Sequence, residues 1–331
     1  MTASASPAAP LTDVEALVAT LKNDFSSLGA LIRTLSHSVS CDDKNVSIRA
    51  HYLPLRNGKP MAGELVEAIR GYICNFALSR AEIQEVHDQA EVMSPQDRML
   101  AYTRLRDSAA DLFIKANKST KRNGECGELL LYLLIEWVLG APQIVAKLSL
   151  KTNGQMPVHG SDGIHIRYDN QTGSLAFIWG EAKLHQSVDG AIASAIKSVS
   201  EALHFDKQKE DISLVKRQFD VSGLPPSAKP IILKYLNPLS SAYAKKIDVS
   251  ACLIGFDFAA FADLSSVATA DVETVFLDKL RLELDRAVGA LTSSLSANSI
   301  SHHTMEVFFF PFDSVERLRV DFQNAIGWNN T

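Results

Sequence analysis

The stretch GSDGIHIRYDNQTGSLAFIWGEAKLH, residues 160–185, decides how the rest of the chain is read. It holds two extended runs, 163–168 and 175–184, joined by Asp169-Asn170-Gln171-Thr172-Gly173, a cluster of turn formers of the kind that closes a β-hairpin. In the second run Ala176, Ile178, Gly180, Ala182 and Leu184 share one parity. Leu175, Phe177 and Trp179 share the other, continued by Glu181, Lys183 and His185. A run apolar on both parities reads as a central strand buried on both faces. Glu181 and Lys183 then place two charges on one face of a buried strand, where desolvation is costly unless something pairs with them. Asp162 has the parity of Ile164 and Ile166, so it too falls on a core-facing side. An Asp and a Glu converging at the edge of a buried sheet, with a Lys beside them, make a divalent-cation site with its own cation for a phosphate or a nucleophilic water.

An E-x-K triplet is ordinarily a solvated surface pair. Three features set this one apart: it is the sole E-x-K in the chain, it ends a strand apolar on both parities, and an S-D-G turn lies one hairpin upstream. The competing D-x-K, Asp42-Asp43-Lys44, lies in a polar stretch and reads as a solvated loop.

Working outward, 331 residues with 46% hydrophobic content suffice for a sizeable core, as one large domain or two smaller ones. A net charge of −5 gives no global basic footprint, so any nucleic-acid contact must be local or shared with a partner. Cys41, Cys74, Cys126 and Cys252 show no C-x-x-C spacing, and reduced thiols in a cytoplasmic protein are the simplest account. Residues 1–10, MTASASPAAP, lack a basic and an apolar segment in series and read as a disordered lead-in. The longest apolar run, 129–141, is interrupted by Glu136 and too short to span a bilayer, so no membrane association is expected.

Residues 11–120 read as a mainly helical flanking region and a surface for a partner. A helix is expected over 11–35, a strand over 46–55 with the turn Arg56-Asn57-Gly58-Lys59-Pro60 after it, and helices over 61–78 and 95–115. Lys115, Lys118, Lys121 and Arg122 then form a basic cluster suited to a phosphate backbone. In the next helix Glu125, Glu128, Tyr132 and Glu136 fall on one face among Leu, Ile, Val and Trp. Either this stripe faces water, or Glu128, with Glu125, reaches the same metal as Asp162 and Glu181.

Strand character follows over 143–150, then the hairpin, an amphipathic helix over 187–204, a charged helical stretch over 207–219 and a short element over 230–236. A strand over 247–256, a long helix over 274–294, a strand over 305–311 and a helix over 314–326 complete the chain. Interleaved strands and helices of this kind argue for an α/β sheet covered by helices.

A helix with an acidic residue, strands carrying Asp and then Glu-x-Lys, a helix and another strand together resemble the core of the PD-(D/E)xK nuclease superfamily, a central mixed β-sheet flanked by helices. Within it, R-N-G-E-x-G-E-L-L-L-Y, G-S-D-G-I-H and W-G-E-A-K resemble the HamA nuclease subunits of the Hachiman anti-phage defence system, from about residue 46 to the end. The resemblance implies a nuclease domain over 121–331 and a Mg²⁺- or Mn²⁺-dependent DNase that works with a superfamily 2 helicase subunit. It further implies Asp162 and Glu181 as metal ligands, Lys183 as the residue that orients the water or offsets phosphate charge, and Glu128 as the helix carboxylate. Ser161 stands where the motif name has Pro.

Two rivals remain at this stage. His159, Asp162 and His165 invite a transition-metal site, but in a strand His165 has the opposite parity to Asp162. His302-His303 reads as surface, and His185 as a strand-end residue able to touch substrate or to serve structure. The alternative function is a non-catalytic interaction subunit that docks on a helicase and uses the sheet as its platform.

Overall fold

The computed structural model describes residues 12–37, 45–120, 124–146, 148, 162–204, 210, 212–213, 215–216 and 223–328; for 116–120 only the backbone is described. A seven-stranded mixed sheet organises them, in the order β1-β2-β9-β8-β7-β6-β5. Its strands are β1 (Arg33–Thr34), β2 (Val46–Tyr52), β5 (Gln143–Val145), β6 (Gly163–Asp169), β7 (Ser174–His185), β8 (Ile247–Asp257) and β9 (Thr304–Phe312). β3 (Leu55–Arg56) and β4 (Lys59–Pro60) form a separate small hairpin. The pairs β2–β9, β9–β8 and β8–β7 are parallel, and β1–β2, β7–β6 and β6–β5 antiparallel.

Helices α1 (Asp13–Leu21), α2 (Ala62–Arg70), α3 (Ile73–Ala77), α4 (Arg80–Glu91), α5 (Pro95–Thr120) and α6 (Glu125–Leu139) precede the hairpin. α7 (Val188–Ala202), α8 (Ala228–Tyr235), α9 (Val272–Ala297) and α10 (Val315–Ala325) follow it. Both faces of the sheet are covered, as strands apolar on both parities require. On one face Ala176, Ile178, Leu184, Leu253, Phe308 and Phe310 pack against α6 and its neighbours. On the other, Cys252, Ile254, Phe256, Val307 and Phe309 meet α7 and α9. Farther along that second face, Ile164, Ile166 and Phe177 meet α1 and α8.

α6 lies unusually close to β7. A Cβ placed on Gly127 would come within 2.3 Å of Leu184 Cδ1 and 3.5 Å of Ala182 Cβ, so the glycine is what admits the strand. α7 starts at Ser187, whose hydroxyl accepts from Gly190 N at 3.1 Å, and returns the chain from β7 to its parallel neighbour β8.

Several expected elements differ. The helix expected over 11–35 ends at Leu21: Lys22 turns extended, Asn23 leaves to bond Glu136 at 2.9 Å, and Asp24 accepts from Ser26 N to start a short 3₁₀ turn. Phe25, Leu28 and Ile32 stay buried, so the apolar spacing was right and the single helix was not. The 61–78 stretch divides into α2 and α3 around Gly71, and α5 runs on to Thr120. The strand expected over 143–150 is limited to Gln143–Val145 among the described residues. The lead-in 1–10, the loop 42–44 and most of 207–219 lie outside the described residues.

Candidate active site

The hairpin register builds the site. Gly163 pairs with Gly180, and Asp162 N donates to Gly180 O at 2.7 Å. One residue further along the antiparallel pair, Asp162 lies opposite Glu181, with both side chains on the α7 face. Asp162 Oδ2 accepts from Ala182 N at 2.9 Å, which fixes the carboxylate against the neighbouring strand. Two residues beyond Glu181, Lys183 returns to the same face, and its Nζ lies 2.5 Å from Glu181 Oε1. These side chains are 25% (Lys183) and 14% (Glu181) exposed, an intermediate zone where a charge is held in place but reachable. Cys252, Glu181's register partner on β8, is fully buried beneath them.

Burial raises the Glu181 carboxyl above its ordinary value and Asp162 raises it further, against the opposing pull of Lys183 and the Ser198 hydroxyl of α7. Burial works against the charge of Lys183, but Glu181 and then Asp162 outweigh it, so the ammonium titrates above its usual range. Burial, then Glu181, raise the Cys252 thiol far above the usual range, so it is a neutral wall of the site and not a thiolate. Burial and the facing Asp162 make the charge of Glu181 costly, and a hard cation held between the two carboxylates would relieve that cost. Mg²⁺ is commonly held by one or two carboxylates, with waters and substrate phosphate oxygens completing its shell. Among the described residues no group of three or more His, Cys, Asp or Glu side chains is arranged to hold a metal. The donors therefore fit a hard cation sharing its shell with substrate and not a closed protein cage.

The α6 stripe does not face water. Glu125, Tyr132 and Glu136 are buried and only Glu128 is half-exposed. Glu136 accepts from Gln143 N at 2.8 Å and from Asn23 Nδ2 at 2.9 Å, which makes it a structural clasp between α6, β5 and the chain after α1. Glu128 and Asp162 line one narrow crevice with Tyr132, Gly163, His165 and Gly180. The structure thus brings Glu128 to Asp162 from the α6 side, and Glu181 is not part of that crevice. Lys121 and Arg122 lie outside the described residues. Lys118 is in the last turn of α5, and its side chain is not described.

His165 is fully buried on the α6 face, its Nδ1 2.9 Å from Ala141 O and its ring against Tyr132, and burial lowers its pKa to about 4. It is a neutral core residue on the face opposite Asp162; His159 lies outside the described residues. His302 is exposed, whereas His303, expected at the surface, is half-buried with Nε2 2.9 Å from Ser250 Oγ. His185 is half-buried where β7 ends. Sequence reading missed Ser198, Cys252 and Arg319, whose Nη2 donates to Leu184 O at 2.6 Å. Nothing local marks them, because each reaches the site only through strand register or helix packing.

Among the described residues no helix is long and apolar enough to cross a membrane. A family model described as HamA matches residues 30–326, nearly the whole chain. Comparison with curated proteins returned no match.

Proposed function

Because the chain belongs to the HamA family, a subunit of the multi-subunit Hachiman defence system, we propose that it is that system's metal-dependent DNA nuclease, built on a PD-(D/E)xK core. The observation that carries this reading is the register that sets Asp162 opposite Glu181 with Lys183 joined to Glu181 on the same face. Asp162 and Glu181 would hold Mg²⁺ or Mn²⁺, and Glu128 stands behind Asp162 as a further carboxylate. Bound there, the cation supplies Lewis-acid polarisation of the phosphate and a more acidic water.

The chain's own residues do the rest. Asp162, held by Ala182 N, and Glu181, held by Lys183, would keep that cation at the strand end, where Lys183 also meets the scissile phosphodiester. Lys183, kept cationic by its acidic neighbours, turns part of its charge to the phosphate as negative charge grows there. A water oxygen gives up a proton and forms the new bond to phosphorus while the bond to the leaving sugar oxygen breaks, and that oxygen takes up a proton in turn, so the protons balance. The acidic chain, at a net −5, binds DNA productively in company with a superfamily 2 helicase subunit that restrains it until damaged or invading DNA is sensed.

The test is cleavage of plasmid and linear DNA with Mg²⁺ or Mn²⁺, by wild type, Glu181→Ala and Lys183→Ala, with and without the helicase. Metal-dependent cutting that either substitution reduces at least ~100-fold is the expected result. Wild type that cuts no better than the variants, even with helicase and DNA ends present, refutes the nuclease reading in favour of a docking subunit.

A further inference from the structure

The carboxyl end of β7 carries a basic rim that the E-x-K motif does not account for. Ligands of open α/β sheets bind outside the carboxyl ends of parallel strands, where side chains from strand ends and following helices converge. Here β7, β8 and β9 are parallel, and α10 follows β9 directly. Asp257, the last residue of β8, accepts from Val315 N at 2.6 Å, and Ser314 Oγ accepts from Arg317 N at 3.1 Å, so the first turn of α10 is fixed to that end of the sheet. From the next positions Arg319 reaches across to β7, where Nη2 donates to Leu184 O at 2.6 Å.

Leu184 lies between Lys183 and His185, both on the Glu181 face. Arg319 therefore arrives beside the catalytic lysine from the opposite side of the sheet. His185 sits against the first turn of α7, where a Cβ on Gly190 would lie 3.5 Å from its Nδ1. Burial, then Arg319, then Lys183 disfavour the protonated form of His185.

A purely structural Arg319 would spend its donors within the fold. This one does not: Nε is buried with no partner, and Nη1 has only a 3.4 Å contact to the exposed Glu316. The side chain remains 24% exposed, so the outer part of its planar guanidinium is reachable at the strand end while Lys183 is occupied by Glu181.

We infer that Arg319 and His185 form a phosphate subsite adjoining Asp162, Glu181 and Lys183, gripping a backbone phosphate of the nucleic acid next to the one that is cut. The choice of a phosphodiester as ligand rests on the nuclease reading above; the anion subsite itself rests on Arg319, Leu184 and His185.

The experiment is fluorescence anisotropy of the full chain with a labelled DNA duplex in EDTA, where no cutting occurs, over a salt series. Arg319→Gln keeps a donor for Leu184 O but loses the charge. It is expected to weaken binding at least ~3-fold and to lower the slope of log K against log salt by about one, the signature of one lost phosphate contact. Glu316→Lys, at an exposed position, is expected to strengthen binding and steepen the slope by about one. Arg319→Gln with wild-type slope and affinity, Glu316→Lys without effect, or a wild type that does not bind DNA at low salt would each overturn the subsite. If the slope changes as expected while the wild type never cuts, the subsite stands and the nuclease reading fails. Cutting with unchanged slopes has the opposite meaning.

Discussion

Asp162→Asn should make the metal-free protein more stable and the metal-loaded protein less so. Facing positions of an antiparallel pair put Cβ atoms about 4.5–5.5 Å apart, so the two carboxylates sit at roughly that separation. At an effective dielectric of about 20 that is a repulsion of ~3 kcal/mol, which Lys183 and partial solvation reduce to about 1 kcal/mol. Asn at 162 can still accept from Ala182 N and leaves the Glu181–Lys183 pair intact. In metal-free buffer at neutral pH the variant should therefore gain ~1 kcal/mol, or about 2 °C in melting temperature for a chain of this size.

The gain has a defined pH dependence. Burial and Asp162 hold the folded pKa of Glu181 above its unfolded value. The wild type thus has this group's full contribution below the unfolded pKa and loses it as pH rises through the folded one. The advantage of Asp162→Asn should be absent at pH 4 and open as pH climbs toward neutral. With Mg²⁺ the order reverses, because ten millimolar ion at a dissociation constant of about 1 mM adds ~1.4 kcal/mol to the wild type and little to the variant. Differential scanning fluorimetry in EDTA and in Mg²⁺ across this pH range measures all of it. A variant less stable than wild type in EDTA at neutral pH, or one that keeps the full Mg²⁺ increment, refutes the reasoning.

Two further substitutions test how the site is held. Glu136→Ala removes the acceptor of Gln143 N and of Asn23, strands a buried donor, and should cost ~2–3 kcal/mol in urea unfolding while leaving the Mg²⁺ increment of the folded fraction unchanged. Gly127→Val drives a Cβ into Leu184 and should cost about 2–3 kcal/mol by the same measurement.

The hairpin was legible because two independent signals, period-two burial on both parities and a run of turn formers, coincide over 160–185, and its strands end within one residue of the expected bounds. The order of α6, three strands, α7 and β8 was legible for the same reason, as were the long apolar runs of β8 and β9. What failed is non-local. β2 joins β9 although Val46 and Met305 lie at opposite ends of the chain, and no local pattern records that partnership. The stripe on α6 shows the limit of periodicity: it marks which residues share a face, but only the packing of β5 and the chain near Asn23 shows that the face is covered. Cys252 belongs to the site through a parallel register with Glu181, which spacing within either strand does not contain.

The position of the charges along β7 follows from the cost of burying them. Residues 174–178 are buried on both faces, where an isolated ion pair would face a desolvation penalty that its own attraction seldom recovers. At the far end, just beyond His185, Gln186 and Ser187 are exposed, and charges there would be screened and free to move. Glu181, Ala182 and Lys183 occupy the interval between, where β6 has ended opposite Gly180 and the strand is still fixed by pairing to β8 but solvent has begun to reach it. Only in such an interval can two carboxylates be held face to face rigidly enough to prefer a cation and openly enough to admit a phosphodiester. The same argument explains why the closest packing in the hairpin's surroundings, Gly127 against Leu184, lies on the other face of these residues. The strand end is immobilised from behind by apolar contact, so that its polar face need not be stabilised by neutralising the groups that would do the chemistry.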